Sequence, residues 1–306
     1  MEPWTRATPV QLPVTSLPSL LFNNLASSKN LLCYAHDSQV TLLDDTGSST
    51  RTIQAKTKVL SACLVAADLL IVCAAGSVEV WRAPSPAKAR LLWRHALGDY
   101  ASDDATQPFC RGAAHVDGSI YVGCSSGDLL TFDMQGDDCS FRCAMKAHRG
   151  PVSCLASSPL VSACDRGKIR LWRADGEQRR SLVIEDGTRA ATKGGDPCSC
   201  LAVTDIVIAG FASGRVRSYS LQGEVLCDLQ AHARCLTALS VWGNRLATVG
   251  EDAHLFVWAL PSLELVHASH VTDALLTGVA FLSEKSLACG AYDAGVITVL
   301  ERGGGG

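Results

Sequence analysis

The chain has 306 residues, of which 47% are apolar and 19% charged, with a net charge of -3. That balance belongs to a globular chain with a sizeable core and excludes a disordered one. Its Lys and Arg are scattered, which argues against the basic stripe of a nucleic-acid-binding surface.

The N-terminus, "MEPWTRATPVQLP", has no basic start followed by a long apolar core, so no secretory signal is expected. No apolar run approaches the roughly 18 residues of a membrane span, and no membrane insertion is expected. The fourteen cysteines mostly sit inside apolar runs such as "LIVCAAG" and "SLACGAYD". They read as reduced thiols in a cytoplasmic setting, acting as small buried hydrophobes.

From residue 31 onward one pattern recurs. An apolar strand meets a short Gly- or Asp-bearing turn, then an alternating strand that closes on a large residue. The seven instances are "LLCYAHDSQVTLLD", "LIVCAAGSVEVWRA", "IYVGCSSGDLLTFD", "LVSACDRGKIRLWRA", "IVIAGFASGRVRSYS", "LATVGEDAHLFVWAL" and "SLACGAYDAGVITVLE". Their closing residues are Leu43, Trp81, Phe132, Trp172, Tyr219, Trp258 and Leu300, at intervals of 38, 51, 40, 47, 39 and 42 residues. In "KIRLWR", Ile169 and Leu171 face one side while Lys168, Arg170 and Trp172 face the other, the period of a strand. No segment keeps a helical period, so the class is all-β. Units of this length with four short strands are the signature of a WD40 β-propeller.

The expected blades are 20–56, 57–93, 106–147, 148–190, 196–230, 232–268 and 271–302, followed by a Gly-rich tail at 303–306. Two long intervals hold insertions, 94–110 and 174–198, which read as surface loops. The last blade has room for three strands only. Its fourth is expected from 7–13, because an open ring leaves an unpaired edge and Pro9 and Pro13 suit an edge strand. The Gly run at the C-terminus reads as the start of a linker.

His232, Thr248, Asp252 and Trp258 fall in order within one unit. A His, a hydroxyl and an Asp suit either a catalytic relay or a hydrogen-bonded staple. The preceding unit but one carries a partial copy, His148, Ser162 and Trp172, with Asp165 one residue early and Arg166 at the acid position. Recurrence at the spacing of a structural unit favours the staple. "CSC" (198–200) and "CSFRC" (139–143) lack a second half for a zinc site. No phosphate-binding loop, nucleophile elbow or metalloprotease motif is present. No cofactor, metal or small-molecule substrate is expected, and no catalytic residue is assigned.

These motifs resemble the WD40-repeat family. "CRGAAHVDGSIYVGCSSGDLLTFD", "AGFASGRVRSY", "AHARCLTAL" and "GEDAHLFVW" more narrowly resemble the WD repeat-containing protein 54 family. The resemblance implies a seven-bladed propeller whose tetrad runs Trp indole to Thr, Thr to His and His to Asp. It implies a non-catalytic scaffold for protein partners within a multi-protein complex. A structural subunit of a ciliary, axonemal or other cytoskeletal assembly is the alternative. A propeller hydrolase is weaker. A ubiquitin-ligase adaptor is also weaker, because "WRAD", "WRAP" and "WALP" stand where such adaptors carry Trp-Asp-x-Arg. Partner-binding candidates on the loop-bearing rim are Arg111, Arg149, Arg166, Arg234, Glu251 and Asp293, since Arg suits desolvated bidentate contacts.

Overall fold

A computed structural model describes residues 4–12, 21–28, 31–44, 48–66, 68–98, 107–175, 178–186 and 195–303. Apart from one 3₁₀ turn, Pro86–Lys88, their regular structure is β-strand. The strands form seven antiparallel sheets. Six sheets contain four consecutive strands each, at 25–54, 59–96, 110–146, 152–186, 198–230 and 236–270. The seventh joins three C-terminal strands within 276–302 to two short N-terminal ones. This is a seven-bladed propeller.

Its core is a ring of interfaces rather than one centre. Each apolar cluster joins two neighbouring blades. Cys33, Leu42, Val59 and Leu70 link the first and second. Val161, Ile169, Val207 and Phe211 link the fourth and fifth. Ala247, Val257, Leu276 and Phe281 link the sixth and seventh. Both faces of every blade are therefore buried, which explains why the second strands read as nearly unbroken apolar runs. In the fourth blade Ile169 and Leu171 pack toward the fifth, while Trp172 packs toward the third. The alternation of "KIRLWR" thus separates two interfaces, not core from solvent.

The ring closes through the N-terminus: Val10–Gln11 lies within the expected 7–13, and a second short strand, Trp4–Arg6, lies ahead of it. Trp4–Arg6 and Val10–Gln11 both pair with Val296–Arg302. Between Arg6 and Val10 the N-terminal chain advances four residues while the partner strand advances three, Leu300 to Ile297. Pro9 lies in this slip, where its missing N–H costs no ladder bond. Pro13 lies outside the described residues. The anchor is Trp4, 5% exposed, which meets the ring of Phe281 edge-on at 6.4 Å.

Both insertions contain strand. Residues 94–96 finish the outer strand Arg90–Ala96 of the second blade. Gln178–Asp186, read as loop from the sequence, is the outer strand of the fourth. Residues 99–106, 176–177 and 187–194 of these insertions lie outside the described set.

The first strands of blades two to seven each carry a register slip near their start, as between Arg111 and Ala113 or Leu236 and Ala238. A bulge there turns one extra side chain out of the ladder. Several such groups bond the next blade. Ser199 Oγ donates to Leu236 O at 2.6 Å, and Thr237 Oγ1 donates to Leu276 O at 2.7 Å.

Candidate functional site

The tetrad of the sixth blade begins with how its loop is held. The second and third strands of the fifth blade turn through "ASGR". Gly214 there has φ +83°, and a Cβ on it would meet the carbonyls of His232 and Arg234. Only glycine lets this turn approach so closely. Its carbonyl then accepts the N–H groups of Ala231 and His232 at 3.1 and 2.9 Å. His232 is thereby fixed against this turn of the fifth blade. Its Nδ1 lies 2.9 Å from Asp252 Oδ1, its Nε2 2.9 Å from Thr248 Oγ1, and Trp258 Nε1 donates to Thr248 Oγ1 at 2.9 Å. His232 and Thr248 are buried, Asp252 half-buried. Burial works to raise the Asp252 carboxyl. Hydrogen bonds from His232 and from the Ala233 and His254 N–H groups outweigh it and bring the carboxyl down to about 2.

The fourth blade repeats the arrangement without its acid. Gly127, φ +86°, accepts the N–H groups of Ala147 and His148 at 3.1 and 2.8 Å. His148 Nε2 lies 2.8 Å from Ser162 Oγ, which accepts Trp172 Nε1–H at 2.9 Å. The sequence spacing allows Asp165 to reach His148. In the structure Asp165 pairs with Arg111 at 3.4 Å, and His148 Nδ1, buried, has no partner among the described residues. The turn directs residue 165 toward the channel and residue 166 toward the His loop, where the Arg166 side chain lies beside Gly150. Burial, then the charges of Arg170 and Lys168, push His148 down to about 3.

The missing acid gives a prediction. His148 is held below its unfolded value of about 6.5, so from about pH 6.5 down toward 3 the unfolded chain binds a proton that the folded chain refuses. Stability is lost as pH falls through that window. Arg166→Asp places an acceptor where Asp252 stands in the other blade. It is expected to add about 1–2 kcal/mol at pH 7 and to shrink the loss between pH 7 and 5. Urea midpoints at both pH values, with Arg166→Ala as control, check this.

Other blades satisfy the large closing residue differently, by groups the sequence reading missed. Trp81 Nε1 donates to Glu79 Oε2 at 2.9 Å, and Arg94 Nε reaches Glu79 Oε1 at 2.8 Å, with Glu79 1% exposed. Tyr219 donates to Glu185 Oε2 at 3.1 Å across the fourth and fifth blades. Arg217, also buried, lies 3.8 Å from Glu185, 3.2 Å from Asp228, and over the Phe211 ring at 4.5 Å. An arginine and a glutamate with these neighbours form a structural tie between blades.

A cavity of about 450 Å³ opens where the channel meets the face bearing the turns after second strands and the loops before first strands. Its walls come from several blades and include Leu60, Leu155 and Pro197 beside Lys58, Arg111 and Asp165. Arg111 is braced twice, by Asp165 and by the Phe109 ring 5.1 Å from its Cζ. Burial raises the Asp165 carboxyl against the opposing pull of Arg111.

Of the six rim candidates, Arg111 alone lines this cavity. Arg149, Arg166, Arg234 and Asp293 are exposed on loops and turns of the same face, and Glu251 is half-buried there, its N–H bonded to Cys235 O at 2.9 Å. Asp165, placed by the sequence in the partial tetrad, belongs with Arg111 instead.

A family profile described as WDR54 matches residues 31–301. WD repeat-containing protein 54 of Homo sapiens is 28% identical over 228 residues, covering 66% of this chain and 66% of that protein. Its Mus musculus counterpart is 26% identical over the same extent. The match therefore spans just under two thirds of these relatives' length. Among solved structures, the WD40 β-propeller domain of Doa1 superposes with TM-score 0.74 at 14% identity, covering 99% of this chain and 98% of that one. The computationally designed Ika8 protein superposes with TM-score 0.67 at 17% identity, over 96% and 100%. At these identities the two structures speak to fold alone. No helix among the described residues is long and apolar enough to cross a membrane.

Proposed function

Because this chain belongs to the WDR54 family of WD40 propellers, we propose that it is a rigid, non-catalytic platform that holds protein partners on the loop-bearing face. The observation that carries this is the channel-mouth cavity, with its apolar walls and its braced Arg111. A guanidinium already held by a carboxylate and a ring loses little freedom on meeting a partner. The exposed Arg149, Arg166 and Arg234 supply the polar rim that such an interface needs.

Against a hydrolase stands the sparse set of acid–base groups on the cavity wall. Among the described residues that line it, the charged groups are Lys58, Arg111 and Asp165, and Asp165 is paired with Arg111. Hydrolysis by a side-chain acid and base calls for a second carboxylate or a histidine beside the first, and the described lining supplies neither. Capture of cytoskeletal or ciliary proteins at the mouth favours the alternative, a structural subunit of such an assembly.

The test is quantitative affinity purification with Arg111→Ala and Leu60→Glu at the mouth. Arg142→Ala, on the exposed outer strand Asp138–Lys146, serves as control. A common set of captured proteins is expected to fall in both mouth variants and persist in the control. Equal recovery in all three, with each variant folded, overturns the reading.

A further inference from the structure

The wall of the channel-mouth cavity also carries Cys63, Cys154, Cys198 and Cys235, from separate parts of the ring. Two of them touch. Cys154 Sγ lies 3.9 Å from Cys198 Sγ and 3.8 Å from Cys198 O. They sit on the first strands of adjacent blades, Val152–Ala156 and Cys198–Val203. Each flanks a bulge, where the register slips between Val152 and Cys154 and between Cys198 and Cys200. The two bulges bring these sulfurs to one seam of the wall.

The two thiols are not equivalent. Cys154 is 5% exposed and Cys198 0% exposed. A solute in the cavity therefore meets Cys154 first. Burial, then its contact with Cys154, pushes the Cys198 thiol well up. Closing from the observed contact to a bond of about 2.0 Å requires side-chain rotation and a small approach of two strands already packed together.

The geometry points to a dithiol modification site: a hydroperoxide entering the channel mouth oxidises Cys154 and Cys198 to a disulfide that ties the fourth blade to the fifth. The Cys154 thiolate attacks the peroxide, whose O–O bond breaks. Cys154 leaves as a sulfenic acid, and hydroxide or alkoxide takes up the thiol proton. The Cys198 sulfur then attacks the sulfenic sulfur, the S–O bond breaks, and water departs with the Cys198 proton. Two thiols are oxidised, and one peroxide is reduced to water plus water or alcohol.

The full chain is treated with hydrogen peroxide, and free thiols are then blocked in denaturant and mapped by tandem mass spectrometry. The expected product has lost two hydrogens, carries a Cys154–Cys198 linkage, melts higher than the reduced protein and reverts with dithiothreitol. The linkage is expected to disappear in Cys154→Ser. In Cys198→Ala, Cys154 is expected to be trapped as a sulfenic acid by a 1,3-diketone probe. If the serine variant does not fold, the wild-type map decides alone. Cys143, an exposed thiol, reports that oxidant was present. Oxidised Cys143 with Cys154 and Cys198 both free overturns the proposal, as does linkage of Cys154 to Cys200 or any other cysteine.

Discussion

Removing residues 1–12 is expected to lower the thermal midpoint by about 10 °C or more, or to abolish a cooperative transition. The segment is short, but its described residues, 4–12, are engaged along their length. Ala7 N–H and Leu12 N–H donate to Val299 O and Gly295 O at 2.9 Å each, and Arg6 Nη2 donates to Val271 O at 2.6 Å. Trp4 belongs to the cluster joining the sixth and seventh blades, and Leu12 to the one joining the seventh and first. Losing a buried Trp and a buried Leu costs about 3–5 and 2–5 kcal/mol respectively, against a total stability of about 5–15 kcal/mol. The deletion also strips the outer edge of Val296–Arg302, leaving open backbone groups able to pair with another chain. Trp4→Ala in the full chain separates anchor from edge: it should lose the packing but keep the pairing, and so fall between wild type and deletion. Adding the peptide of residues 1–15 to the deleted chain should restore part of the midpoint. A midpoint unmoved by the deletion would falsify the closure.

The propeller was legible because each blade closes on a large residue that must be buried between two neighbours. That demand recurs once per blade and survives changes among Trp, Phe, Tyr and Leu. The tetrad of the sixth blade was legible for a related reason. His232, Thr248, Asp252 and Trp258 are close in sequence, so their spacing alone encodes their geometry. What escaped depended on contacts between blades. Glu185 meets Tyr219 from 34 residues away, and nothing local marks it as buried. Gln178–Asp186 reads as loop in the sequence because polar residues crowd one end of it and turn residues flank it. Asp165 was assigned to His148 by sequence proximity, yet one step along a tight turn reverses a side chain's direction. The closing strand reaches further than 7–13, to Trp4, and the slip around Pro9 splits it into two short pieces with no continuous strand pattern.

Trp258→Ala is expected to cost about 3–5 kcal/mol, read as a fall in the urea midpoint with the slope unchanged. The ring is 8% exposed and packs with Leu246, Leu263, Ile208 and Val216 across the fifth and sixth blades. It meets Phe256 at 5.7 Å, so truncation opens a cavity between blades that two sheets must collapse to fill. The hydrogen-bonded part can be measured apart from packing. Trp258→Phe keeps most of the volume and removes only the donor to Thr248, for an expected cost of about 1–3 kcal/mol. Thr248→Val conserves shape and leaves both Trp258 Nε1 and His232 Nε2 without their partner. If the tetrad acts as a unit, the two conservative changes overlap, and the double variant loses less than their sum by about 0.5–3 kcal/mol. Strict additivity would mean that the four groups are neighbours without being a network. Catalysis makes a different demand: the same substitutions would then abolish an activity while leaving the midpoint nearly where it was. A chain of bonds buried between two blades, with Trp258 at its end, predicts the loss in stability.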